Sequence, residues 1–251
     1  MGRGAAAGAG GLSLDDFSLA GKRALVVGTA SSVERAIIDA LAEAGARVRV
    51  GNLDGVETVV PDAVAELGGL DVVVSCGDLR MAGPFEELAD QEWEGLVAVN
   101  LTAPVRLLRA AGREMLARDG GKIICIVSVL GERGLPHTAA YGACQAGLIQ
   151  LIRALSLEWA RRNVRINGIG LGWFEGDPLL PNPLAPSPEG KGEPPSPSGE
   201  GLGERLTRYL PTRRLGRPEE VGALAVYLAS DAADMMTGQT IFVDGAVMAH
   251  A

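Results

Sequence analysis

Short continuous apolar runs alternate with longer stretches of helical spacing along this chain. Arg23–Val27 is the first run, closed by Gly28. Within Val33–Ala44, apolar residues at 36, 37, 40, 41 and 44 line one face of a helix, which Gly45 stops. Arg47–Gly51 and Asp71–Val74 read as strands, and Glu92–Ala117 as a long helix with Pro104 placed to kink it. Beyond them, Lys122–Val127, Val164–Gly168 and Thr240–Val243 read as strands, and Ala139–Arg162 and Pro218–Ser230 as helices. Apolar strands alternating with helices predict an α/β domain with a doubly wound parallel sheet covered on both faces.

One connection is short. A parallel crossover needs a dozen or more residues, and only three separate Asn52 from the run Val56–Val60. That run is therefore expected to be missing from the sheet or irregular at its edge, leaving a shortened edge-strand region between Asn52 and Leu70. Arg47 and Arg49 alternate on the preceding strand, which suits an exposed edge.

Composition narrows the function. With 251 residues, 47% of them hydrophobic, the chain can bury one large core. A net charge of −8 argues against nucleic acid or an anionic membrane as partner. The three cysteines, Cys76, Cys125 and Cys144, are far apart and the two histidines are His137 and His250, so no metal site is expected. Met1–Gly11 lacks the apolar stretch of a signal peptide or membrane span, and the expectation is a cytoplasmic protein. Residues 1–16 read as a flexible leader and 17–251 as one domain. Eight of the fourteen prolines fall between Pro178 and Pro197, marking a Pro-rich loop insert over 178–203.

From about Phe17 to Ala246, outside that insert, the chain resembles the short-chain dehydrogenase/reductase family. The resemblance rests on AVNLTAP around Asn100, IVSVLGERGLPHTAAYGACQAGL around Ser128 and Tyr141, and RRLGRPEEVGALAVYLASD with TGQTIFVDGA near the end. It implies a Rossmann-like fold, an NAD(P) cofactor, a small-molecule substrate and oligomerisation. In the family a tyrosine exchanges a proton with the substrate oxygen while the nicotinamide exchanges hydride. A serine thirteen residues earlier polarises that oxygen, an asparagine on the preceding helix completes a proton relay, and a lysine four residues after the tyrosine lowers its pKa and grips the ribose. The matching positions are Tyr141, Ser128, Asn100 and, for the lysine, Gln145.

Several positions depart from the pattern. Without a cation to favour the phenolate, Tyr141 is expected to remain a phenol, able to donate a hydrogen bond but poor as a general base. The family's glycine turn keeps Gly28, but Ser32 and Glu34 stand where the other two glycines belong, and those let the pyrophosphate approach the helix N-terminus. A carboxylate about 4 Å from a phosphate charge repels it by roughly 4 kcal/mol in an effective dielectric near ~20. Asn52 replaces the acidic residue that holds the adenosine ribose. Asn-Asn-Ala-Gly becomes Ser75, Cys76, Gly77 and Asp78, while Leu171-Gly172 and Gly176 replace a Pro-Gly pair and a nicotinamide-contacting threonine. NAD(P) is thus implied by the resemblance and opposed by the residues, leaving a protein without cofactor as the other expectation.

His137, four residues before Tyr141, is expected to anchor a loop; Asp78 to be a solvated loop residue or helix cap; Cys76 to be a small buried hydrophobe. Three functions stand open. One is an NAD(P)-dependent alcohol or carbonyl oxidoreductase with an unusual site. Another is a cofactor-independent, non-redox relative using Ser128 and Tyr141 on a small oxygenated molecule. The third is a silent subunit that pairs with an active relative. Under any of the three, a homo-oligomer (dimer or tetramer) or a hetero-oligomer with a relative is expected, through the helices at 92–117 and 139–162.

Overall fold

The computed structural model describes residues 13–118, 120–176 and 207–249. The Pro-rich stretch 178–203 and most of the 1–16 leader lie outside the described residues. The leader's end is regular: Leu14–Phe17 forms a 3-10 turn capped by Ser13.

Six parallel strands form one sheet in the order β2-β1-β3-β4-β5-β6. They are β1 (Arg23–Gly28), β2 (Arg47–Asn52), β3 (Val72–Cys76), β4 (Gly121–Ser128), β5 (Val164–Leu171) and β6 (Thr240–Val243). Strands β1 and β3 are buried almost throughout, as continuous apolar runs should be. Helices α1 (Ser32–Glu43) and α6 (Pro218–Ala229) cover one face, where Ile37, Leu41, Val221 and Leu228 pack on Val26, Val74 and Ile124. At Gly222 the two helices nearly touch, since a Cβ there would fall 2.9 Å from the Ala36 carbonyl oxygen. Helices α2 (Val59–Leu67), α4 (Ala103–Leu116) and α5 (Ala139–Trp159) cover the other face, where Ala63, Leu107, Met115 and Ile152 meet Leu25, Val73 and Ile123. This is the expected doubly wound, Rossmann-like domain.

After β2 the first of the two expected outcomes is found: the run Val56–Val60 is missing from the sheet. No strand forms there among the described residues, and β2 is the sheet edge, with Val50 exposed. Yet the segment is not irregular. After a 3-10 turn at Leu53–Gly55, the nine-residue helix α2 carries the chain from β2 across β1 to β3. Val56–Val60 is the approach to that helix and its first turn, with Val56, Val59 and Val60 turned into the core. Arg49 on the edge strand bonds Glu66 of α2 at 2.7 Å.

The direction of winding reverses between β1 and β3. Connection β1–β2 runs outward through α1 on one face, and β2–β3 returns through α2 on the other. Ligands of open α/β sheets bind beyond the carboxyl ends of the strands at such a reversal. The turn after β1 and the loop after β3 both lie there.

The long helix expected from 92 to 117 is two helices, α3 (Asp90–Val97) and α4, joined through a π turn at Ala98–Thr102. Pro104 has no N–H to continue the ladder. The Ala103 N–H reaches back to the Ala98 carbonyl instead, and Asn100 sits within the bulge.

Candidate functional site

The turn between β1 and α1 is built around two residues. Ala30 is left-handed at φ 61°, a conformation that costs a non-glycine residue about 1–2 kcal/mol and that aims successive N–H groups into one concavity. Ser31 caps α1, its hydroxyl accepting from the Glu34 N–H at 3.1 Å. The Glu34 side chain folds back into this concavity and is 3% exposed. Its Oε2 accepts the Ala30 N–H at 2.7 Å. Burial pushes the carboxyl above its ordinary pKa, while hydrogen bonds from the backbones of Ala30, Ser31 and Thr29 pull it down. The carboxyl also lies directly over Gly28, where an added Cβ would fall 2.3 Å from Glu34 Oε2 and 2.7 Å from Cys76 Cβ.

At the carboxyl end of β4, Ser128 begins a 3-10 turn and accepts the Leu130 N–H at 3.2 Å. Tyr141, in the first turn of α5, is 2% exposed. The structure brings the two hydroxyls into each other's neighbourhood, where the Ser128 side chain pulls the Tyr141 pKa down. That phenol donates to Asp78 Oδ1 at 2.7 Å, across 63 positions of sequence. Asp78 Oδ2 in turn accepts from Arg80 Nε at 2.7 Å. Burial, the Asp78 charge and the bond to Asp78 push the Tyr141 pKa up, outweighing Arg80 and Ser128, which pull it down. Asp78 is therefore neither a solvated loop residue nor a helix cap. It is the nearest ionisable partner of Tyr141, and the reading from sequence missed it together with Arg80. The available signal was an acidic residue in place of the last glycine of Asn-Asn-Ala-Gly.

Gln145 lies one turn along α5 from Tyr141, 1% exposed. Its side-chain oxygen accepts the Ser128 backbone N–H at 3.1 Å. Asn100 holds the backbone of the neighbouring loop: Oδ1 accepts the Leu79 N–H at 2.9 Å, and Nδ2 donates to the carbonyls of Leu79 and Leu96 at 2.8 and 3.0 Å. Four of the residues singled out from sequence, Ser128, Tyr141, Gln145 and Asn100, thus converge at the carboxyl ends of β3 and β4.

The other positions lie around the turn. Ser32 donates to the Glu175 carbonyl at 3.2 Å, tying α1 to the loop after β5. Asn52 accepts the Gly55 N–H at 3.2 Å, capping the turn after β2. Glu34, Asn52 and Gly28 share a cleft of about 770 Å³ with Arg49, Thr58 and Val99. His137 has φ 65° and its carbonyl accepts the Gly83 N–H at 2.9 Å, a loop-anchoring arrangement. Cys76 is buried, and burial pushes its thiol pKa up. Among the described residues no cluster of His, Cys, Asp and Glu could hold a metal ion, and no helix is long and apolar enough to cross a membrane.

A family model described as enoyl-(acyl carrier protein) reductase matches residues 19–247. The chain belongs to the short-chain dehydrogenase/reductase family. Among its relatives, D-threitol dehydrogenase of Mycolicibacterium smegmatis is 32% identical, with 93% of this chain and 96% of that protein aligned. The 5-keto-D-gluconate 5-reductase of Escherichia coli is 29% identical, over 93% of this chain and 98% of the relative. A solved gluconate 5-dehydrogenase from Burkholderia cenocepacia, in complex with NADP and tartrate, superposes with a TM-score of 0.81 at 27% identity, covering 94% of this chain and 99% of that one.

The residues present here do not fit a dinucleotide held in the family manner. A pyrophosphate would need the N–H groups of the turn after β1, and the Glu34 carboxyl already takes that of Ala30 and lies above Gly28. The family's lysine position holds Gln145, whose acceptor oxygen is turned to Ser128.

Proposed function

We propose that this member of the short-chain dehydrogenase/reductase family has left dinucleotide-dependent hydride transfer. In this reading Ser128 and Tyr141 remain as a neutral, hydrogen-bonding site for a small oxygenated molecule, of the polyol or sugar-acid kind on which the named relatives act. The observation carrying this reading is the Tyr141–Asp78 bond. In the family reaction the tyrosine alternates between phenol and phenolate, and a lysine favours the phenolate. Here an aspartate accepts a hydrogen bond from the phenol and holds Tyr141 in the phenol form. A phenol whose single O–H is directed to Asp78 can accept a hydrogen bond from a substrate hydroxyl, or turn that O–H to a substrate oxygen once its bond to Asp78 is broken, and neither needs hydride. Asn100 positions the loop after β3, which carries Asp78.

The low exposure of Tyr141 favours a second reading, a silent subunit that contributes its fold to a homo-oligomer or to a hetero-oligomer with an active relative. A cytoplasmic location accords with the buried free thiols. Calorimetric titration with NADH and NADPH tests the central claim, alongside a panel of polyols and sugar acids. Weak or absent dinucleotide binding at tens of micromolar is expected, with heat from at least one polyol or acid. Low-micromolar NADPH binding with turnover of a carbonyl overturns the reading, and a panel silent throughout favours the silent subunit.

A further inference from the structure

The geometry points to a nucleotide site that is filled from within: the carboxyl groups of Glu34 and Asp78 occupy the two anchoring points, over an anion receptor that is otherwise intact. This rests on the proposed loss of hydride transfer and explains how that loss is built.

The two contacts come from different elements and do not depend on each other. Glu34 belongs to α1 and satisfies the turn after β1, with Oε2 at 2.7 Å from Ala30 N. Asp78 follows β3 and satisfies Tyr141, with Oδ1 at 2.7 Å from the phenol oxygen. If the turn had decayed by drift, its N–H groups would point elsewhere and Ala30 would relax to φ below zero. Instead Ala30 keeps the left-handed conformation, and its N–H meets the Glu34 carboxyl at 2.7 Å. Gly28 still lacks the Cβ that would close the space, now filled by Glu34 Oε2 at 2.3 Å from the Cβ position. A cleft of about 770 Å³ opens beside the filled turn. The ligand class for the turn, once Glu34 is removed, is a diphosphate whose oxygens replace the carboxyl.

The test removes the occupant and leaves the receptor. Glu34→Ala retains helix propensity and frees the turn. Glu34→Gln retains an acceptor oxygen in the same place. Titration with ADP should give at least about tenfold tighter binding to Glu34→Ala than to the wild type, the effect of regaining roughly one charge-assisted hydrogen bond. Glu34→Gln should stay close to the wild type. Adding Asp78→Gly should extend the gain to NADH, while Asp78→Gly alone should leave ADP binding unchanged. If Glu34→Ala is too unstable to titrate, inorganic pyrophosphate should raise its melting temperature and leave the wild type unmoved. A Glu34→Ala protein that gains neither ADP affinity nor pyrophosphate stabilisation overturns the inference. Tight NADPH binding by the wild type would instead refute the proposed function, so the two failures are distinguishable.

Discussion

Restoring the family's lysine by Gln145→Lys should destabilise the protein without producing a reductase. Gln145 is nearly inaccessible, and its side-chain oxygen is an acceptor for the Ser128 backbone N–H at 3.1 Å. Lysine offers no acceptor. The Ser128 N–H would be left buried without a partner, at about 1–3 kcal/mol, and an ammonium group would be placed where a neutral amide now packs, adding to the loss. In a chain of this size each 1 kcal/mol lowers the melting temperature by about 2–4 °C. A fall of roughly 2–12 °C is therefore expected. Gln145→Leu isolates the hydrogen bond from the charge and should fall within the same range. Differential scanning calorimetry reads the shift, and a carbonyl panel with NADPH reads activity, which should stay absent because Glu34 still fills the turn. A Gln145→Lys protein as stable as the wild type, or one that reduces a carbonyl, refutes the reasoning.

Three further outcomes are expected. Glu34 has a folded pKa raised by burial, so its stabilising contribution is greatest below its unfolded value near ~4.3 and declines as pH rises through the folded value. Glu34→Gln should therefore gain stability relative to the wild type between about pH 4 and pH 8; parallel denaturation curves across that range check it, and a gap that shrinks contradicts the sign. Asp78→Asn removes a charge that pushes the Tyr141 pKa up, so ultraviolet titration should show phenolate forming at lower pH than in the wild type, and an unchanged or later transition counts against the contact. Gly222→Ala would put a Cβ 2.8 Å from Ala40 Cβ and 2.9 Å from the Ala36 carbonyl oxygen; forcing α1 and α6 apart should cost about 1–3 kcal/mol in urea denaturation, and a neutral result would show that the helices can separate freely.

The apolar runs and helical periodicities determined the sheet, its parallel sense and the helices that cover it, because each reports on residues close together along the chain. The identities of Glu34, Gln145 and Asp78 were also plain, as departures from a pattern whose chemistry is known. The pattern left Val56–Val60 open: three valines around Glu57 and Thr58 suit a short strand or the start of a helix equally, and packing with Leu25 and Val27 accompanies the helix. Tertiary structure alone decided what the departures do. A glutamate at the start of α1 could have projected from the rim to repel a phosphate; the left-handed Ala30 and the space over Gly28 turned it inward to replace one. Asp78 meets Tyr141 because β3 and β4 are neighbours in the sheet and both chains leave it at the same end. Contacts across 63 positions depend on how strands are ordered, and local sequence carries no record of that order.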